Sequence, residues 1–387
     1  MIQSFIVYTL FALALFVCAR GVSCKQVQLI ETRGKVFSMP SHYWWCIFIF
    51  ALVAGMRYDV GVDHLSYLED YIRALNGKNF IRDRGYEEGY VFITSLFGEL
   101  GIHPVIYFAF LGALQLGFVL LAYKTERAMV PWMLMFIVLG GDFFSWMNGI
   151  RQMIAACVFV YSTQFIRDKK LVKYLLCIAF AYLWHHSSLI LVPVYFFAYD
   201  KSIWSNSKIN FTIFIACIIL GNTPLWISSV TSMGFLISAL GYEMYADNLE
   251  TLTDLDELAA FTLGPRLIAT LATYVLVIWL YPKVRNYFNS RTIDIIFKLF
   301  LIGACAYGLF ASTSLIFRRP VAYFTIFTLP AVGYSISYLH SMKKNVLLII
   351  LLLASLSFTY LSCYIDSGKP KSDRGSYLYE FYFDKMN

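Results

Sequence analysis

The sequence predicts an all-α integral membrane protein, a polytopic bundle of about ten transmembrane helices with short re-entrant and interfacial helices between them. Three observations predict it. Hydrophobic residues make up 59% of the chain and charged residues only 14%, against roughly half and a quarter in soluble domains. The apolar residues gather in runs close to the length that crosses a bilayer. The basic residues between those runs fall unequally on alternate sides, as membrane topology requires. No uninterrupted polar stretch is long enough for a soluble domain, so residues 1–387 read as one polytopic domain.

Each element follows from its residues. Ile2 to Cys18 is apolar, and its basic residues, Arg20 and Lys25, come after it. That is the wrong charge order for a cleaved signal peptide, so the run reads as the first spanning helix. Further spans are expected at 42–56, 104–123, 131–147, 150–166, 209–228, 265–281, 293–315, 320–339 and 345–363. Between them, Asp63, Tyr67, Asp70 and Tyr71 recur at helical spacing, which predicts an interfacial amphipathic helix over 63–76. Tyr90–Leu100 is apolar but too short to span. The segment 174–199 is interrupted by His185 and His186 and reads as a short helical hairpin that enters and leaves on one side.

With that hairpin, one side receives most of the lysines and arginines, including Lys124, Arg127, Arg167, Lys169, Lys170, Lys283, Arg285, Lys343 and Lys344, with Lys298 snorkelling towards it. The other side collects most of the acids, including those of the loop 243–257. The positive-inside rule makes the basic side cytoplasmic. The outer side then carries the loops 57–89 and 229–264 and the tail 364–387.

Five arginines stand against this rule at outer helix ends: Arg57, Arg151, Arg266, Arg318 and Arg319. Interfacial anchoring is the ordinary role of such residues. Five at one depth suggest more, because the planar guanidinium fork suits phosphate. A cluster there could hold a pyrophosphate at the lipid–water boundary. Acids lie nearby in sequence, at Asp63 and at Glu87-Glu88. Carboxylates at a helix start ordinarily serve the macrodipole; the sharper role is binding sugar hydroxyls or taking a proton from one. His185-His186-Ser187-Ser188 lies at the hairpin tip, where about twelve helical residues would carry it past the bilayer centre. No zinc or metalloprotease spacing accompanies these histidines, and no C-x-x-C pair occurs among the eight cysteines. The aromatic run Tyr377 to Phe383 either packs back onto the active face or adheres to the interface.

Taken in order, these residues resemble the EpsG-like polysaccharide polymerases, enzymes of the Wzy type. Arg57-Tyr58-Asp59-Val60-Gly61-Val62-Asp63 with Tyr67 carries the resemblance first, then Glu88-Gly89-Tyr90, Ile150-Arg151-Gln152-Met153-Ile154-Ala155 and His186-Ser187-Ser188-Leu189. Arg318-Arg319 with Tyr323 follows. The tail departs from the family, lacking the Pro-Tyr ending. The resemblance implies a GT-C-like polymerase architecture in the bacterial inner membrane, with its active site facing outward. It implies a metal-independent glycosyltransferase with no cofactor that moves a growing glycan from polyprenyl pyrophosphate to a lipid-linked repeat unit. Asp63, Glu88 and His186 are then the catalytic candidates. Arg57, Arg151, Gln152, Arg266, Arg318, Arg319, Tyr67 and His185 are the candidates for binding pyrophosphate and glycan. The expected partners are the polyprenyl-pyrophosphate-linked oligosaccharide, the lipid bilayer, a flippase and a chain-length regulator, and not nucleic acid. A flippase for lipid-linked oligosaccharide, a membrane O-acyltransferase and a non-catalytic scaffold are the rival readings.

Overall fold

The computed structural model describes residues 1–21, 39–80, 86–199, 206–232, 264–313, 315–368 and 376–385. The acidic loop 243–257 lies outside the described residues. Helices dominate. α1 is Ile2–Arg20 and α2 Ser41–Met56, followed by the two-residue strand β1, Arg57–Tyr58. Then come α3 His64–Leu75, α4 Glu88–Glu99, α5 Pro104–Ala122, α6 Val130–Leu139, α7 Asp142–Asn148 and α8 Ile150–Arg167. α9 is Leu171–Tyr182, a 3₁₀ turn covers His186–Leu191, and α10 is Val194–Tyr199. α11 Ser207–Gly221 and α12 Pro224–Ser232 precede α13 Pro265–Phe288, α14 Arg291–Phe310 and α15 Leu315–Arg318. The chain continues through the 3₁₀ turn Arg319–Val321, α16 Ala322–Thr325, α17 Thr328–Ser341, α18 Asn345–Leu356 and α19 Phe358–Ser367 to β2, Glu380–Phe381.

Every expected apolar run is helical, but several are broken, and the count of ten is not carried by length and apolarity. Among the described residues four helices are long and apolar enough to cross a membrane, α1, α5, α13 and α14, or up to seven if each bent pair is one span. The run 131–147 bends by 68° between α6 and α7, 209–228 by 77° between α11 and α12, and 345–363 by 40° between α18 and α19. The first break has a sequence cause: Gly141 sits at φ 89, in the left-handed region that glycine enters without steric cost. The helix expected over 320–339 begins with the short turns around Arg319 before settling into α17.

α8 is the axis of the bundle. Thirteen of its residues are buried, from Ile150 to Ile166, on every face. A helix apolar all round belongs in an interior, and here it sets Arg151 at its first turn inside the protein. α9 and the 3₁₀ turn fold back on each other as the hairpin reading expected. The Tyr174 hydroxyl donates to the Leu191 carbonyl at 2.5 Å, and the rings of Tyr174 and Tyr195 lie 5.3 Å apart. His185 and His186 therefore occupy the tip. α3 buries His64, Tyr67, Leu68, Asp70 and Tyr71, the face its helical spacing predicted, and stacks Tyr71 on Tyr107 of α5 at 4.1 Å.

Contacts gather the connections at two ends of the bundle. At one end Arg167 donates to Thr292 at 3.3 Å, and Trp132 packs on His340. The other end holds β1, the starts of α4 and α8, the hairpin tip and the residues around Arg319. Lys298 does not snorkel out: it is buried and donates to the Ala198 carbonyl at 3.4 Å, since it lies in the middle of α14 rather than near an end.

The tail packs back. β2 pairs antiparallel with β1, Arg57 opposite Phe381 and Tyr58 opposite Glu380. The Tyr379 hydroxyl donates to the Val53 carbonyl at 2.7 Å, and the Tyr379 amide to Ser4 Oγ at 3.0 Å. These contacts bind the tail to α1 and to the end of α2.

Candidate active site

The loop after β1 is tightly specified. Gly61 has φ +93, and a Cβ there would fall 2.0 Å from Asn148 Oδ1. The Gly61 amide donates to the Ser376 carbonyl at 3.1 Å, and the Val62 amide to Asn148 Oδ1 at 2.8 Å. The loop is thus clamped between the tail and the end of α7, which delivers Asp63 towards the start of α8. Gly89 does the corresponding work for α4. Its amide donates to the Leu183 carbonyl at 2.8 Å, and a Cβ would meet that oxygen at 2.7 Å. Glycine therefore lets the start of α4 touch the hairpin tip.

These approaches build one cluster. Glu87, capping α4, is 6% exposed and is gripped from two sides, by Arg151 Nη1 and by His185 Nδ1. The Arg151 guanidinium lies 4.9 Å from the Tyr86 ring centre and 5.4 Å from that of Tyr90, within range of cation–π attraction. It also acts electrostatically on Tyr67, while its Nε has no partner among the described residues. Tyr86 is held in turn, its hydroxyl donating to Asp70 at 2.7 Å. Gln152 donates to the Arg319 carbonyl at 2.6 Å, and the hydroxyls of Ser187 and Tyr323 meet at 3.0 Å. The α8 start, the hairpin tip and the turn around Arg319 are tied together by these bonds.

Charge follows the same arrangement. Burial alone would raise the Glu87 carboxyl, but the hydrogen bond from His185 and the charge of Arg151 outweigh it and hold the group down at about 2. Burial raises Asp63 above the ordinary carboxylate value, with Arg319 and Arg151 pulling it partly back. One carboxylate is therefore locked as an anion, while its neighbour is set nearer to exchanging a proton.

Of the residues expected from sequence, Asp63, Tyr67, Arg151, Gln152, His185 and Arg319 come together here. The others do not. Arg57 is fully buried at the end of α2, with its guanidinium 5.1 Å from the Phe108 ring centre. It donates to the Ala54 carbonyl, while Nε and Nη2 have no partner among the described residues. It meets the cluster only through its electrostatic effect on Tyr67. Arg266 lies against Tyr377 and Phe358, and Arg318 is exposed, acting on Tyr307. Glu88 is 71% exposed and lies 3.5 Å from His186, which is 41% exposed. That pair sits on the rim, and His186 stacks on Tyr182.

Sequence reasoning chose Glu88 over Glu87 from the acidic pair, gave Tyr90, Ser187 and Tyr323 no role beyond the motifs that contain them, and did not single out Tyr86. A signal existed for Glu87. Tyr90, Thr94 and Gly98 form the buried face of α4, and Glu87, one turn before Tyr90, continues that face whereas Glu88 does not.

With the geometry described, comparison with known proteins adds one result. The chain matches the EpsG family over residues 42–380. It belongs to the EpsG family. This is the family of Wzy-type polysaccharide polymerases, and the matched stretch contains every element of the cluster. No curated protein and no solved structure matches the chain.

Proposed function

We propose that this member of the EpsG family is a membrane glycosyltransferase that polymerises a surface polysaccharide. It moves a growing glycan from polyprenyl pyrophosphate onto a lipid-linked repeat unit, at the outer face of a bacterial cytoplasmic membrane. The observation that carries this reading is the position of Arg151: inside the bundle, held by Glu87, between two tyrosine rings, with Arg319 and Asp63 close enough to act on each other's charge.

In this reading the bond between the anomeric carbon and the pyrophosphate oxygen breaks, and the pyrophosphate leaves with the electron pair. Arg151 and Arg319 neutralise that developing charge, the largest contribution expected from preorganised cationic donors. A hydroxyl of the acceptor sugar forms the new bond to the anomeric carbon and gives its proton to Asp63, whose raised affinity for protons suits the role. Glu87 is a positioning residue, since it is occupied by Arg151 and His185. The tyrosines offer flat faces to sugar rings. The basic residues at the opposite end of the bundle support a cytoplasmic assignment for that end, and in this reading the cluster faces outward.

Reconstitution tests the reading. Purified protein in liposomes is given polyprenyl-pyrophosphate-linked repeat units and no nucleotide sugar, and products are sized on a gel. A ladder of polymers is expected. Folded protein supplied with its cognate repeat and yielding no ladder would sink the proposal.

A further inference from the structure

A second polar feature lies away from the arginine cluster, at the break between α6 and α7. A Cβ on Gly141 would meet the Phe358 ring at 2.1 Å, so this glycine lets the chain turn sharply against α19. The turn delivers Asp142 to the wall of a cavity of about 180 Å³, lined on its other sides by residues of α13 and α14 and by Thr325, Thr328, Ala354, Ser355 and Phe358. At a liquid share of about 30 Å³ per water, that volume corresponds to about six waters, room for a small polar group.

The lining has a definite hydrogen-bonding character. Thr270, Thr273 and Ser355 all face the cavity. Their hydroxyls donate back to the carbonyls of Arg266, Ala269 and Leu351, at 3.0, 2.8 and 2.5 Å. With their protons spent on the helix backbone, they present only lone pairs to the cavity. Asp142 has no hydrogen-bond donor among the described residues, so its carboxyl oxygens are left to a ligand's hydroxyls. These groups supply acceptors, and the hydroxyls of Ser145, Tyr274, Tyr307, Thr325 and Thr328, which also line the cavity, can both donate and accept. A lipid chain would leave these polar groups without partners. A compact molecule carrying several O–H donors fits, and the rings of Tyr274 and Tyr307 offer apolar faces to its C–H groups.

Position adds to chemistry. α7 has Asp142 at its start and Asn148 at its end, against the loop that carries Asp63. Seven helical residues place the two ends about 10 Å apart. Thr325 also lines the cavity, two residues after Tyr323, which bonds to Ser187 in the cluster.

We propose that the Asp142 cavity is a saccharide subsite, which holds one sugar of the lipid-linked glycan through hydrogen bonds from the sugar hydroxyls to the Asp142 carboxylate and the threonine oxygens. This rests on the glycan-transfer reading for the origin of the sugar, while the binding itself does not depend on catalysis.

The test uses full-length protein in nanodiscs and saturation-transfer NMR with the methyl glycosides of glucose, galactose, N-acetylglucosamine and N-acetylgalactosamine. At least one glycoside should receive saturation from the wild-type protein and from Arg151→Lys. Asp142→Asn should weaken that binding by about tenfold or more, and the isosteric Thr273→Val should weaken it too; the latter decides the matter if Asp142→Asn does not fold. Absence of transfer to every glycoside, or equal binding by wild type and both variants, overturns the proposal. Binding lost in Arg151→Lys and kept in Asp142→Asn also overturns it, by placing the sugar in the arginine cluster. Polymer synthesis is followed on the same samples. Glycoside binding without polymer removes the transfer reading and leaves the subsite standing, whereas polymer without glycoside binding does the opposite.

Discussion

Replacing Arg151 by Lys isolates the guanidinium fork from its charge. In the structure one terminal nitrogen of Arg151 grips Glu87, and Nε has no partner among the described residues. The fork can hold Glu87 and still face a ligand. Lysine carries a single nitrogen and must divide it between Glu87 and the pyrophosphate. Glu87 is nearly buried and keeps a charged partner in Arg151→Lys, so folding should be little affected. Loss of one preorganised donor to a leaving anion lowers kcat by about 10²–10³, or about 2.7–4 kcal/mol in the barrier. The assay is a time course of polymer formation from lipid-linked repeats in liposomes, with thermal unfolding of the same preparations as control. Expected are an unchanged unfolding midpoint and a slow ladder that still reaches full length at long times. Undiminished kcat in Arg151→Lys would refute the fork.

Four further outcomes follow from the geometry. Glu87→Gln should lose most activity, since it loosens Arg151 and His185 together, while the exposed Glu88→Gln should stay close to wild type in the same ladder assay. Asp63→Asn should lower kcat and flatten its acidic limb. Burial raises the Asp63 carboxyl, so in the wild type the ionised base disappears as pH falls through that raised value, and the asparagine has no such step to show in a pH–rate profile. Gly89→Ala, whose new methyl would press on the Leu183 carbonyl, should cost about 1–3 kcal/mol by strain and separate α4 from the hairpin tip, read as a lower unfolding midpoint and a weaker ladder. Removing residues 376–387 takes away β2 and the Tyr379 bond to Val53, and should make the 57–63 loop open to limited proteolysis and abolish polymer.

The helical positions were legible because each apolar run carries its own evidence of burial in lipid or protein. Where the runs bend was not, since Gly140-Gly141 reads equally as a small pair inside a helix and only Phe358 against Gly141 shows that the chain must turn there. The amphipathic α3 and the folded-back hairpin were readable, the first from the spacing of Tyr67 and Tyr71 and the second from two histidines inside an apolar stretch. The site was half readable. Arg151 and Asp63 stood out as charges at helix ends, but five arginines at one depth did not make one cluster. Depth fixes one coordinate only; Arg57 and Arg266 point into aromatic packing with Phe108 and Tyr377 instead. Choosing Glu87 over Glu88 needed the direction of one helix face. The Asp142 cavity left no local mark, because its walls come from helices distant in sequence.

The pairing of β1 with β2 has a consequence for how the protein is made. Tyr379 and Val53 are 326 positions apart in the chain, and most of the bundle is synthesised between them. Contacts of such long range form late, after the intervening loop has been closed. The segment carrying Asp63 is therefore among the last parts to be fastened during biogenesis, and a partly inserted chain holds its arginines and its carboxylate out of register. Under the proposed function, catalytic competence then arrives with the final stitch of folding, before which lipid-linked precursors would go unused.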